Sequence, residues 1–272
     1  MIRHTAKKCL GSTVLALLGV CILATFSPAP AAADPVSGTL FYTTFSGGTN
    51  VHKVDFDFNG TTFSLTNNIG IANTNGADGL LFAPDGNLLV AGQGSNLTEV
   101  TTGGTIVKNV NPGGPSFHLA LTSNSPTALV YNMGNGGCGS SCISAVTLSG
   151  GGLLNNGVAY TVAGTNTANL DVRGVIFNPV NNTWYYGTAG DGALGDFGTV
   201  AFNDTTHTAT LTRLQMGLAA HGLSFDPFTG DVIINSANLI QQLDAAGNVL
   251  SDVTGPGPDS GAWKSSDTFD QA

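Results

Sequence analysis

Short apolar runs separated by Gly, Asn and Asp turns extend along the chain after residue 33, with almost no helical periodicity. One seven-residue motif occurs three times. It begins with a polar residue and Gly, continues with two residues that are both apolar in two of the copies, and ends with Phe, one further residue and Pro. The copies span residues 78–84, 173–179 and 221–227, and each is followed by a turn and a second apolar run. Runs of this length, bounded by turn residues, predict β-strands.

The spacing of this repeated motif favours a β-propeller. The second and third copies begin at Arg173 and His221, 48 positions apart, and a four-stranded propeller blade takes roughly 40 to 50 residues. A second repeated unit, strand–turn–strand, occupies residues 97–107 and 240–250 and matches the outer hairpin of a blade. We therefore predict an all-β fold, a β-propeller of four-stranded blades.

Five blades are visible along the chain, and the first contains only three strands. They are assigned to residues 36–70, 77–110, 116–163, 171–215 and 220–253. We expect the propeller to occupy residues 34–254, and residues 255–272 to form a Gly-Pro linker and the start of a further blade. Two interpretations remain open: five blades that close imperfectly, or a truncated six-bladed or larger ring.

The first 33 residues have the pattern of a signal peptide. Three basic residues come first, an apolar stretch covers residues 10–26, and three alanines precede Asp34. An uncleaved anchor is the alternative, but the apolar stretch is short for a membrane span. We expect a secreted, periplasmic or extracellular protein with no membrane span in the mature chain.

The charge balance limits the partners. The chain has 8 Lys and Arg against 17 Asp and Glu, and its net charge is −9. An acidic surface argues against nucleic acids and anionic membranes. We therefore expect no nucleic acid as a partner, and instead a small polar molecule, a glycan or an envelope protein.

Two cysteines lie beyond the predicted signal peptide, at Cys138 and Cys142. An even number of cysteines at short spacing in an exported protein predicts a disulfide. A metal site would need two more ligands, and no His or further Cys lies nearby in the sequence.

Polar residues occupy one register in the predicted inner strands. Asp78, Arg173 and His221 each lie four positions before the Phe of their motif. In the degenerate third blade Phe117 holds this register, with His118 beside it. Because equal register in the innermost strands means equal location, these side chains should face one end of the central channel. Asp78, His118, Arg173 and His221 are therefore the candidate ligand-binding residues.

Three of these residues are also candidate catalytic residues. The planar fork of Arg173 could pair with a carboxylate or phosphate. His221 could act as a general base, and Asp78 could hold a metal or orient the imidazole. In the structural alternative, Asp78 and Arg173 form an ion pair across blades and His221 caps strand ends.

The first copy of the motif, followed by Asp85-Gly-Asn-Leu-Leu-Val-Ala-Gly, resembles the NHL, SMP-30/gluconolactonase and virginiamycin B lyase superfamily of β-propellers. It is most similar to exported bacterial members, over residues 36–270. The lactonase branch implies a divalent metal on the central axis, held by an acidic residue, an Asn and an Asp. The chain departs from this pattern, since its one Glu, Glu99, falls on a predicted outer hairpin. The lyase branch implies a His base, which His221 matches by position, and Mg²⁺.

The sequence thus predicts an exported propeller that binds a ligand or partner, or scaffolds envelope components, through a polar site at one channel end. The alternative is a metal-dependent lactonase or lyase, with Ca²⁺ or Mg²⁺ as its cofactor. The binding role is favoured over an enzyme because the sequence contains no Gly-x-Ser-x-Gly, His-Glu-x-x-His or phosphate-loop motif.

Overall fold

A computed structural model describes most of the predicted propeller. The described residues are 35–45, 48–134, 142–164, 172–188, 195–218, 220, 222–236 and 239–254. The predicted signal peptide, the predicted C-terminal linker, Cys138 and His221 lie outside these ranges, so the domain boundaries and the disulfide stay predictions. Cys142, the described half of the predicted disulfide, is fully buried.

All regular secondary structure in the described ranges is β-strand. Among the described residues, no helix is long and apolar enough to cross a membrane. The strands are β1 (Val36–Thr43), β2 (Val51–Phe58), β3 (Phe63–Ala72), β4 (Leu80–Phe82), β5 (Leu88–Ala91), β6 (Leu97–Val100), β7 (Ile106–Val110), β8 (His118–Leu121), β9 (Leu129–Met133), β10 (Ile143–Ser149), β11 (Gly152–Leu153), β12 (Val158–Gly164), β13 (Val172–Asn178), β14 (Thr183–Thr188), β15 (Asp196–Asn203), β16 (Thr208–Met216), β17 (Gly222–Phe225), β18 (Val232–Ser236), β19 (Leu239–Leu243) and β20 (Val249–Thr254).

These strands follow the predicted blades. Blade 1 is β1–β3, blade 2 is β4–β7, blade 3 is β8–β10 with β12, blade 4 is β13–β16, and blade 5 is β17–β20. The short strand β11 forms a hairpin with β10. The first blade has three described strands, as the sequence predicts, and the other four each have the four strands of a propeller blade.

The chain divides into two compact units, residues 1–38 with 56–65 and residues 39–55 with 66–272. In the described part of the smaller unit, the rings of Phe56 and Phe63 stack with their centroids 5.7 Å apart. A side chain at Gly38 would place its Cβ 2.9 Å from the Phe56 ring. Glycine therefore leaves room for this aromatic pair.

The sequence predicts that blades 3 and 4 are separate sheets. In the structure, the outermost strands of these two blades are hydrogen-bonded to each other. Strand β12 pairs in parallel with β16, with Thr161–Gly164 opposite Thr208–Leu211. The pairing fills backbone hydrogen bonds that two outer edges would otherwise expose. Glycine is needed at position 164, where a Cβ would lie 2.1 Å from the Leu211 carbonyl oxygen.

The second strand of blade 2 is buried on both of its faces. Leu88 and Val90 pack with residues of blade 1, whereas Leu89 and Ala91 pack with residues of blade 3. All four are fully inaccessible to solvent. A strand covered on both faces needs consecutive apolar residues instead of an alternating pattern. The second strand of blade 4 is shared in the same way between blades 3 and 5.

The first strands of blades 2 to 5 lie against one another at the inner edges of the sheets. Strand β8 packs against β4 and β13, and β13 packs against β17. Between blades 2 and 3, the Gly79 N–H donates to the Phe117 carbonyl oxygen at 2.6 Å. A Cβ at Gly79 would lie 2.7 Å from that oxygen. The glycine that follows Asp78 therefore lets the inner strands converge.

Replacement of this glycine tests the convergence. Gly79→Ala should lower the free energy of unfolding by about 1 to 3 kcal/mol, because the new methyl group meets backbone atoms that cannot rotate away. Gly103→Ala is the matched control, since the nearest atom to its Cβ, Thr101 Oγ1, is 3.7 Å away. Urea unfolding of both variants measures the difference. Equal stability of Gly79→Ala and wild type would contradict the close approach.

An aromatic cluster covers the junction of blades 3 and 4. The hydroxyls of Tyr131 and Tyr160 each donate to Asp204 Oδ1 at 2.8 Å. The Tyr131 ring stacks on Phe202, with centroids 3.9 Å apart. Burial raises the pKa values of both tyrosines above their ordinary value, and the hydrogen bonds to Asp204 raise them further. The cluster holds the tyrosines in their neutral form.

These raised pKa values predict a loss of stability in alkali. Above about pH 10 the unfolded chain releases the tyrosine protons while the folded chain retains them, so the free energy of unfolding falls as pH rises. Each tyrosine lowers the free energy of unfolding by up to about 1.4 kcal/mol for each pH unit in this range. The double variant Tyr131→Phe/Tyr160→Phe should show a shallower fall between pH 9 and 11, measured by chemical unfolding. An unchanged slope in the double variant would count against the cluster.

Candidate functional site

The predicted polar residues lie where the inner strands begin. Asp78 is two residues before β4, His118 opens β8, and Arg173 is the second residue of β13. His221, which directly precedes β17, lies outside the described residues. The far ends of the same four strands line one cavity, and the starts of the strands lie away from it. The structure thus brings Asp78, His118 and Arg173 to one end of the inner strands.

These three side chains differ in their accessibility. Asp78 and Arg173 are half-buried, whereas only 3% of the His118 surface is exposed. The backbone of Asp78 is held on both sides, since its N–H donates to the Ala91 carbonyl and its carbonyl accepts from the Thr43 hydroxyl at 2.5 Å. A molecule in the channel therefore reaches Asp78 and Arg173 more readily than His118.

Arg173 lies at an irregular position of its strand. The antiparallel pairing of β13 with β14 shifts its register between Val172 and Gly174, which places Arg173 at an irregularity in the ladder. Such irregularities turn a side chain away from the regular alternation of a strand. This feature depends on the pairing of two strands, and the sequence motif alone does not indicate it.

The described residues do not fit the divalent metal that the family resemblance implies. Within the described ranges, no group of three or more His, Cys, Asp or Glu residues could hold a metal ion. Glu99 lies on β6, as predicted for an outer hairpin, and is buried. Its carboxylate accepts from Asn87 Nδ2 at 2.7 Å and from the Leu153 N–H at 2.8 Å. Glu99 therefore connects blade 2 to the hairpin of blade 3.

A partly buried ion pair in blade 4 is a polar feature that the sequence motifs do not reveal. Arg213 Nη2 lies 2.8 Å from Asp196 Oδ2, and Asp196 is almost fully buried. Burial raises the pKa of Tyr186 to about 12, and the nearby charge of Asp196 acts in the same direction. The pair joins β15 to β16 beside a neutral tyrosine, so it has a structural role within the blade.

A cavity of about 590 Å³ occupies the other end of the inner strands. It is lined mainly by apolar residues, among them Phe82, Pro84, Leu121, Phe177, Pro179 and Phe225. Five of these six come from the repeated motif, which therefore supplies the wall of the cavity as well as the strands. The Phe-x-Pro ending of the motif was the available sequence signal for this cavity.

Comparisons with known proteins identify the fold. A gluconolactonase from Xanthomonas campestris superposes with a TM-score of 0.50 at 15% sequence identity, covering 84% of this chain and 82% of that protein. A candidate 6-phosphogluconolactonase from Bacteroides uniformis gives a TM-score of 0.48 at 13% identity, covering 76% and 69% of the two chains. No family model and no curated protein matches the sequence.

The likeness to the Xanthomonas protein confirms the predicted fold: the chain is an all-β β-propeller. It also agrees, at the level of the fold, with the resemblance to the SMP-30/gluconolactonase class. At this sequence identity the likeness establishes the architecture alone.

The structural role of Glu99 can be tested by mutation. Glu99→Gln should lower the free energy of unfolding by about 1 to 3 kcal/mol, because an amide N–H₂ replaces one of the two acceptor oxygens in a buried site. Asp57→Asn, at an exposed carboxylate, should leave stability within about 0.5 kcal/mol of wild type. Thermal and urea unfolding measure both. Unchanged stability of Glu99→Gln would contradict a structural role for the carboxylate.

Proposed function

We propose that the chain hydrolyses a small polar ester of the lactone class at the channel end marked by Asp78, Arg173 and His221. The observation that carries the proposal is the packing of β4 against β8 and of β8 against β13, with Asp78, His118 and Arg173 at the starts of these inner strands. Further support comes from the Xanthomonas neighbour, which is named as a gluconolactonase. Export of the mature chain out of the cytoplasm belongs to the same proposal.

Each residue has a role in this reaction. Arg173 would donate to the ester carbonyl oxygen and stabilise the negative charge that develops on it. His221 would take a proton from the attacking water as its oxygen bonds to the carbonyl carbon. The ring C–O bond then breaks, and the leaving oxygen receives that proton. Asp78 would orient the imidazole, in the way a carboxylate orients histidine in a catalytic triad. No step is assigned to a metal, because the described residues do not fit one.

A ligand-binding or scaffold protein is the second candidate. The sequence contains no Gly-x-Ser-x-Gly or His-Glu-x-x-His motif of a hydrolase, and this favours it. In that case the same polar end binds a small polar molecule, a glycan or an envelope protein without turnover. Arg173 would then pair with an anionic group of the partner through its planar fork.

Hydrolysis of glucono-δ-lactone by the chain from residue 34 onward, followed in a pH-stat, tests the first candidate. Arg173→Gln should reduce kcat/KM by roughly 10²-fold to 10³-fold, as loss of one oxyanion donor does. His221→Ala should cost about 10²-fold to 10⁴-fold through loss of the base. His52→Ala is the control and should stay within about twofold, since His52 Nε2 lies 3.0 Å from the Thr49 carbonyl, in blade 1.

Three outcomes would contradict this assignment. One is a wild-type rate no higher than that of buffer, and a second is equal activity of the Arg173 and His52 variants. The third is loss of activity in EDTA with recovery in Ca²⁺, which would place a metal on residues outside the described ranges. Saturable binding of gluconate by calorimetry without lactone turnover would support the second candidate instead.

A further inference from the structure

The repeated motif builds a second concave site, away from the polar channel end. Phe82, Phe177 and Phe225 occupy the same motif position in blades 2, 4 and 5, and all three line the cavity of about 590 Å³. The degenerate third blade contributes Leu121 at the end of its inner strand. Cavities of this size are typical of small-molecule sites. The aromatic rings offer large, rigid apolar surfaces to a ligand.

The cavity is separate from the proposed hydrolytic end. Arg173 and Phe177 are four residues apart on the same strand β13, which corresponds to about 13 Å along a β-strand. A small lactone held at Arg173 does not extend over that length. The two ends of the inner strands can therefore bind different molecules.

The polar groups of the cavity belong to a single turn. Thr122, Ser123 and Asn124 line it, in the connection that follows β8. Thr122 Oγ1 accepts from the Leu129 N–H at 3.0 Å, and Ser123 Oγ accepts from the Ser125 N–H at 3.3 Å. Each hydroxyl keeps its own O–H for donation. A ligand thus meets hydrogen-bonding groups on one side and apolar walls on the others.

The charges indicate a neutral ligand. None of the described residues that line the cavity is Asp, Glu, His, Lys or Arg. Burial of a charged group without a partner is costly, and the negative net charge of the chain repels anions further.

We propose that this cavity binds a neutral amphipathic small molecule, with its apolar body against Phe82, Phe177 and Phe225 and its polar group at Thr122, Ser123 and Asn124. The size of the cavity suits a molecule of two or three fused or linked rings. This binding site is independent of the proposed hydrolysis at the opposite end.

Two matched fluorescent probes test the proposal. N-phenyl-1-naphthylamine is neutral and brightens in apolar sites, and 1-anilinonaphthalene-8-sulfonate adds one negative charge to the same skeleton. The wild-type chain should bind the neutral probe saturably with one site per chain, at least about tenfold more tightly than the sulfonate, which corresponds to about 1.4 kcal/mol. Absence of saturable binding, or equal affinity for the two probes, would overturn the proposal.

Blocking variants locate the probe. Ser123→Trp and Asn124→Trp both place an indole at exposed positions on the edge of the cavity, and each should weaken neutral-probe binding at least about tenfold. Thr127→Trp, at an exposed position of the same connection outside the cavity lining, should bind as wild type does. Circular dichroism and thermal unfolding confirm that each variant is folded.

The variant Arg173→Gln tests whether the probe binds in the cavity or at the polar end of the inner strands. It should bind the neutral probe with wild-type affinity, because Arg173 does not line the cavity. Loss of binding in Arg173→Gln, or wild-type binding in both blocking variants, would place the probe elsewhere and overturn the proposal. Failure of the chain to hydrolyse a lactone leaves the expected probe binding unchanged.

Discussion

The close approach of the inner strands is the constraint on which the rest of the structure depends. The 2.6 Å hydrogen bond from Gly79 to Phe117 joins blade 2 to blade 3 where a larger residue does not fit. Blades 4 and 5 meet through the second strand of blade 4, where the Ala220 N–H donates to the Thr188 carbonyl at 3.0 Å and a Cβ at Gly187 would lie 2.5 Å from the Ala220 Cβ. Because the inner strands pack side by side, Phe82, Phe177 and Phe225 line one cavity at the far ends of their strands.

Burial on both faces of the sheets explains why the blades need one another. A single blade with Leu88–Ala91 at its centre would expose one apolar face to water, and the neighbouring blades cover both. At about 25 cal/mol for each Å² of apolar surface, this burial is the main favourable contribution to folding. The parallel pairing of β12 with β16 and the tyrosine pair on Asp204 then connect blades 3 and 4 at their outer edge.

Local sequence was sufficient to predict the strands and their blades, because consecutive apolar residues and glycine turns determine them directly. The positions of Asp78, His118 and Arg173 at the starts of inner strands also followed from register in the repeated motif. The contacts between blades 3 and 4 did not, since Tyr131 and Tyr160 meet Asp204 over 73 and 44 positions, and an aspartate in a turn gives no local signal of such a contact. The cavity was missed because Phe82 and Phe177 resemble ordinary core residues until their strands are placed side by side.

The two proposed sites lie on one scaffold, a polar end for a small ester or polar ligand and an apolar cavity for a neutral molecule. Both depend on the convergence of the inner strands. Amide hydrogen exchange at Gly79, measured by NMR, tests that convergence most directly. We expect protection comparable with that of Leu89 in the buried strand β5, because the Gly79 N–H is bonded to Phe117. Exchange as fast as at Gly103, in an exposed turn, would contradict the account.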